Sequence, residues 1–261
     1  MKGAEKAIIK KDMRDVTSNR RLFSQLWIVP LMLTVVLPSI FICAAYFAPD
    51  DPEVLALLEL LPGAASQGSV ELAIAGIIFN YILPAFFLMI PIMTASIMAA
   101  SAFVGEKEKH TLETLLYCPL SVKEIFRAKV LASFFLSMLV SLTSFAAMLA
   151  VLELESVFLM GSPLLPGVGW VIVLFLLSPA VSLIAVTLIV RNSAKAQSVE
   201  ESQQSAVFLI IPVVLLVVGQ LAGVMLLNVW ILLGLSVVCA LLAWMLLQRA
   251  VKRFTYEMLL K

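Results

Sequence analysis

The chain has 261 residues, 62% of them apolar and 13% charged, with a mean hydropathy of +1.07. That composition excludes an ordinary soluble protein, in which about half of the residues are apolar. The net charge of +1 says little by itself; how the charges are distributed is more informative, and nothing in it points to nucleic acid.

Residues 4–21 predict an amphipathic helix. Ile9, Met13 and Val16 recur at helical spacing, and Lys6, Lys10 and Arg14 follow one another by four on another face. Such a segment, taken as residues 1–21, lies in the headgroup plane with its basic heads turned outward. Six apolar stretches follow, at 22–48, 77–104, 128–152, 168–190, 206–227 and 229–247. Each is close to or beyond the ~20 residues that cross a ~30 Å hydrocarbon core. The first runs past the ~7–15 residues of a signal peptide's apolar region, so it is expected to stay as a span. Between the first two, Pro52 to Pro62 brackets a short amphipathic helix. Pro30, Pro38, Pro84, Pro91, Pro179 and Pro212 fall within spans and predict kinks.

The third stretch holds Ser133, Ser137 and Ser141 at i, i+4 spacing, with Ser144 nearby. A small polar stripe of this kind suits close helix packing, or the lining of a substrate path. Asn80 and Gln220 are the strongly polar residues at depth, and packing hydrogen bonds are their expected use. No Lys, Arg, Asp, Glu or His occupies the middle third of any predicted span. Proton- and ion-coupled transporters usually place such residues there.

Charge alternates from one connection to the next. The N-terminal arm carries Lys2, Lys6, Lys10, Lys11, Arg14, Arg20 and Arg21. The 49–76 connection has Asp50, Asp51, Glu53, Glu59 and Glu71 but no Lys or Arg. Basic residues return at Lys107, Lys109, Lys123, Arg127 and Lys129, are absent from 153–167, and return again at Arg191, Lys195 and from Arg249 onward. All 18 Lys and Arg therefore fall on one side, which predicts that both termini are cytoplasmic.

Catalysis is poorly served. His110 is the one histidine, so neither a zinc set nor a Ser–His pair is evident. Cys43, Cys118 and Cys239 have no plausible partner for a disulfide. A G-x-x-x-x-G-K-[ST] phosphate loop is missing, so the chain is not expected to hydrolyse ATP.

The 105–127 connection is the most informative. A charged run leads into Thr111-Leu-Glu-Thr-Leu-Leu116, with Leu112, Leu115, Leu116 and Tyr117 to bury. Pro119 stops this short helix. Ser121 and Glu124 then form a capping box for the next helix. The result is a helix–turn–helix elbow.

The run from Glu106 to Ser121 resembles the E-[KR]-E-x-G-T-x-E-x-L-L-x-x-P-x-S signature of ABC-2-type permeases, the membrane subunits of ATP-binding-cassette exporters. Glu106, Glu108, Thr111, Glu113, Leu115, Leu116, Pro119 and Ser121 match it, and His110 stands where glycine is usual. Residues 10–21 resemble the family's basic connecting helix, and 194–204 resemble a loop of its sodium-exporter-like (NatB-like) branch. The resemblance implies an all-α fold of six transmembrane helices, with 1–261 as a single ABC-2-type transmembrane domain. It implies a coupling role toward a cytoplasmic ABC ATPase for Glu106, Glu108, Thr111, Leu112, Glu113, Leu115, Leu116 and Pro119. ATP and Mg would sit on that partner, with no cofactor on this chain. A second permease chain, identical or a paralogue, and membrane lipid complete the expected partners. The implied location is the plasma (inner) membrane of a prokaryote, and the implied cargo an amphipathic molecule, peptide, drug or lipid. An ATPase-recruiting anchor without transport, or a sodium exporter subunit, are the alternatives.

Overall fold

The computed structural model describes residues 3–47, 70–109, 111, 121–193, 196, 198–221 and 228–253, and among them there is helix but no strand. Helix α1 (Gly3–Ser18) precedes six helices long and apolar enough to cross a membrane. These are α2 (Arg20–Ala44), α3 (Val70–Glu108), α4 (Val122–Met160), α5 (Val168–Ser193), α6 (Val199–Gln220) and α7 (Val229–Lys252). The number and order of spans are those expected. The Pro52–Pro62 helix lies outside the described residues.

The bounds differ from expectation in three places. First, α3 and α4 have 39 residues each, about 58 Å of helix, so both project well beyond a ~30 Å core. Glu153 and Glu155, expected in a loop at 153–167, lie in the last turns of α4. Nothing breaks that helix until Gly161, whose φ of 68° is left-handed and suits glycine. There the Gly161 N–H closes on the Val157 carbonyl at 3.2 Å, and the Ser156 hydroxyl donates to the Ser162 carbonyl at 2.6 Å.

Second, the N-terminal helix ends at Ser18 and not at residue 21. Asn19 is extended, and its side-chain oxygen accepts from the N–H groups of Arg21 and Leu22, which starts α2 at Arg20. The inward face of α1 is Ile8, Asp12 and Val16. Ile8 packs with Ile125 and Ala128 of α4, and Val16 with Leu26, Met98 and Leu136. So α1 rests on protein, while Lys6, Lys10 and Arg14 remain exposed as expected.

Third, α6 begins at Val199, ahead of the predicted 206, and is interrupted by a turn at Ser205 and Ala206.

Helices α3 and α5 form the centre of the bundle, with 67% of each apolar window buried, against 28% for α2, 22% for α6 and 17% for α7. The last three are therefore the surfaces left for lipid or another chain. In the core, the Trp170 ring lies 5.5, 5.6 and 4.9 Å from those of Phe79, Phe87 and Phe145.

Three spans widen locally into π-helix, at Met32–Val36, Ile78–Ile82 and Val173–Leu177. Each stretch ends two residues before a proline: Pro38, Pro84 and Pro179. Proline lacks an N–H and its ring collides with the carbonyl four residues back, and a wider turn relieves the collision. In α3 the Leu83 N–H reaches back five residues to the Ile78 carbonyl. The Phe79 carbonyl would look for its donor at position 84 in that register, and Pro84 has none. The Trp170 indole N–H takes the place, at 3.1 Å.

Candidate functional site

The elbow connects the end of α3 to the start of α4. Residues 112–120, which carry Leu112, Glu113, Leu115, Leu116 and Pro119, lie outside the described residues, as does His110. Both ends of the elbow are described. The Thr111 N–H donates to the Glu106 carbonyl at 3.0 Å, which curls the chain off α3. Across the gap, the Ser121 hydroxyl accepts from the Glu124 N–H at 3.3 Å, and the Glu124 carboxylate accepts from the Ser121 N–H at 2.9 Å. This is the capping box read from the sequence.

Glu106, Glu108 and Thr111 are placed differently from one another. Glu108 and Thr111 are exposed. Glu106 is only 6% exposed, and its carboxylate gathers three helices. One oxygen accepts from the Lys11 ammonium of α1, and the other is 2.7 Å from Lys129 Nζ of α4. Lys129 is itself 1% exposed, donates to the Ala102 carbonyl and lies 5.5 Å from the centre of the Phe103 ring. The coupling role expected of Glu106 starts from this position: its carboxylate is turned to α1 and α4.

Asp12 completes the cluster. It is buried, 4.0 Å from Lys11 Nζ through one oxygen, and its other oxygen has no hydrogen-bond partner among the described residues. Burial pushes its carboxyl above the ordinary carboxylate value, and nearby Glu106 adds to the effect while Lys129 and Lys11 oppose it. For Lys11, burial works to lower the pKa, but the hydrogen bond and charge of Glu106, with Asp12 and Asp15, outweigh it and raise the ammonium. A cavity of about 290 Å³ adjoins the cluster and is bordered by Lys11, Asp12, Asp15, Glu106 and Lys109. The sequence reading counted Lys129 for sidedness and missed its role. The available signal was a lysine at the edge of an apolar stretch, which asks for a partner.

The third resembling segment comes to the same end of the bundle. Ser198 caps the Val199–Gln204 turn of α6, accepting from the Glu201 N–H at 3.1 Å. Glu200 pairs with Arg21 at 3.1 Å, and a Cβ on Gly105 would lie 3.6 Å from Val199 Cγ2. So α1, the elbow and the 198–204 segment, distant in sequence, are joined around the end of α3.

The remaining predicted residues are structural. Ser133, Ser137, Ser141 and Ser144 are all buried. The Ser137 hydroxyl meets that of Ser182 on α5 at 2.6 Å, and the Ser141 hydroxyl donates to the Ser137 carbonyl at 2.8 Å. The face is buried within the chain, and at Ser137 it packs α4 on α5, which is the close packing that its spacing suits. The Asn80 side-chain oxygen accepts from the Gly167 N–H at 2.7 Å, and its amide donates to the Gly76 carbonyl at 3.2 Å. Asn80 thus caps α5 from α3. A Cβ on Gly167 would sit 3.0 Å from that oxygen, so a larger residue there would push Asn80 back by a few tenths of an ångström. The Gln220 amide donates to the Tyr81 carbonyl at 2.7 Å, tying α6 to the same π-helical stretch.

A protein-family model described as ABC-2 family transporter protein matches residues 73–231, well over half of the chain. No curated protein and no solved structure matches.

Proposed function

The chain belongs to the ABC-2 family of transporter proteins, and from that premise we propose that it is the export permease driven by a separate ATPase that docks on its elbow. It is a multi-pass membrane permease of an ABC transporter, and this family works with an ATPase partner. The observation that carries the rest is that α1 and α4 meet Glu106, and the 198–204 segment meets Gly105, at the end of α3 where the elbow begins. In the proposed orientation this end is cytoplasmic, supported by all 18 Lys and Arg falling on one side of the predicted spans.

ATP and Mg belong to the partner in this reading, and closure of the ATPase subunits pushes the elbow. Glu106 makes α1 and α4 follow α3, because separating them would strand charge in an apolar setting. The π-helical stretches before Pro38 and Pro179 supply compliance farther along the spans. One six-span chain is too small to enclose a path, so two permease chains pair, identical or paralogous. With the serine face taken, α2, α6 and α7 offer the surface for pairing. The cargo is amphipathic, a peptide, a drug or a lipid-like molecule, moved outward across the plasma (inner) membrane of a prokaryote. The lack of Lys, Arg, Asp, Glu and His in the middle third of the predicted spans supports this better than a bare ion.

The test is Glu113→Ala with Leu115→Asp. Losing a buried apolar anchor typically costs about 2 kcal/mol, a thirtyfold weakening. The double variant should fold and insert but no longer co-purify with the ATPase or stimulate it. Undiminished co-purification and stimulation would remove the elbow from coupling. Cysteine labelling in intact cells should reach residue 66 and not 109, and the reverse would invert the orientation.

A further inference from the structure

A second cavity, of about 550 Å³, opens between α4, α5 and α7. That is within the roughly 300–1,000 Å³ of small-molecule sites. Phe134, Leu183 and Trp244 line it toward one end, with Leu131 between, and Arg127 and Lys252 line the other end. Phe134 lies seven residues along α4 from Arg127, and Trp244 eight residues along α7 from Lys252, so the groove runs about 10–12 Å along the helices. Half of a ~30 Å hydrocarbon core is about 15 Å. The groove is open on the bundle's outside, since Trp244 is 60% exposed.

The groove joins an apolar wall to two basic side chains. Lys11 and Lys129 are held by Glu106, and Arg21 by Glu200. Arg127 and Lys252 are exposed, and among the described residues neither forms an ion pair. We propose that this groove is a site for an anionic phospholipid, one acyl chain lying against Phe134, Leu183 and Trp244 and the phosphate between Arg127 and Lys252. The guanidinium offers the phosphate a fork of donors and the ammonium a point charge. The proposal needs only that α4 and α7 cross the bilayer, so it fails or holds separately from ATPase coupling.

The experiment uses the full chain in phosphatidylcholine nanodiscs carrying either dibromo-phosphatidylglycerol or dibromo-phosphatidylcholine, with tryptophan fluorescence as readout. Trp244→Phe identifies the part of the signal due to Trp244. The expected result is quenching of Trp244 at about thirtyfold lower mole fraction of the anionic lipid, the size two basic side chains give at a charged headgroup. Arg127→Gln with Lys252→Gln should bring the two lipids within about twofold. Arg127→Lys should keep most of the preference. Leu131→Phe, which narrows the groove, should weaken quenching by both lipids. No preference in the unaltered chain, or a preference untouched by the double variant, overturns the proposal. So does Trp244 shielded from both lipids in a species that Leu131→Phe converts to a smaller oligomer, since a second copy would then be the occupant.

Discussion

Two regions of the bundle bury polar groups, and they do so in opposite ways. Around Glu106 the groups are charged, they come from three helices, and a cavity stands beside them. Around Asn80 the groups are neutral, and side chains of α3, α5 and α6 satisfy specific backbone groups. A buried charge keeps its value only while its counter-charge stays close. A neutral side-chain-to-backbone bond is worth less but stands without that dependence. The first arrangement suits an end of the molecule that receives a push. The second suits a fixed joint, and it repairs the hydrogen bonding that Pro84 disturbs.

The comparison breaks most visibly at Glu106. Glu106→Ala leaves Lys129 buried without its counter-charge, and removing one member of a buried pair costs about 3–5 kcal/mol. Thermal unfolding in mild detergent should show a large fall in midpoint, and protease should reach α1 sooner. A near-unchanged midpoint with α1 still protected would mean that apolar packing of Ile8 and Val16 holds α1 by itself.

The fixed joint should respond less. Trp170→Phe keeps an aromatic ring but removes the donor to the Phe79 carbonyl, which costs about 1–3 kcal/mol for a buried acceptor left unmet. Pro84→Ala returns a backbone N–H at the position Phe79 needs. In that background the cost of Trp170→Phe should shrink, with a coupling energy of about 0.5–3 kcal/mol in a double-mutant cycle. Strict additivity would show that Pro84 is not what makes the indole bond necessary.

The smallest effect belongs to Asp12. Its folded-state pKa is raised above the ordinary 3.8, so the folded protein binds more protons than the unfolded chain between those two values. Stability should therefore fall as pH rises from about 3.8 through the raised value. Asp12→Asn should flatten that slope and stabilise slightly at neutral pH. Lys11 works at the other end: its raised pKa adds stability that is complete below 10.5 and is lost as pH rises through the folded value. Midpoints measured across both windows separate the two groups, and an Asp12→Asn profile parallel to that of the parent chain would exclude Asp12 as the cause.

The elbow end was only partly legible in the sequence. Ser121 and Glu124 announced their capping box because the two partners are three residues apart. Glu106 stood out as a signature residue, yet its partners did not, because Lys11 is 95 residues away and Lys129 lies on another helix. The serine stripe was visible at its i, i+4 spacing, but which neighbour it would meet was not.

By itself, the sequence determined what depends on runs and near neighbours. Six apolar stretches long enough to span, a basic arm before the first, and prolines that local backbone geometry must accommodate follow from composition and spacing alone. Tertiary structure decided which helices lie centrally, that Ser137 of the serine stripe meets Ser182 of α5, that Asn80 caps α5 across 87 residues, and that one carboxylate joins α1, α3 and α4. Helix formation is driven by interactions within a few residues along one chain segment, whereas the partner of a buried polar group is set by which distant segment packing brings within about 3 Å of it.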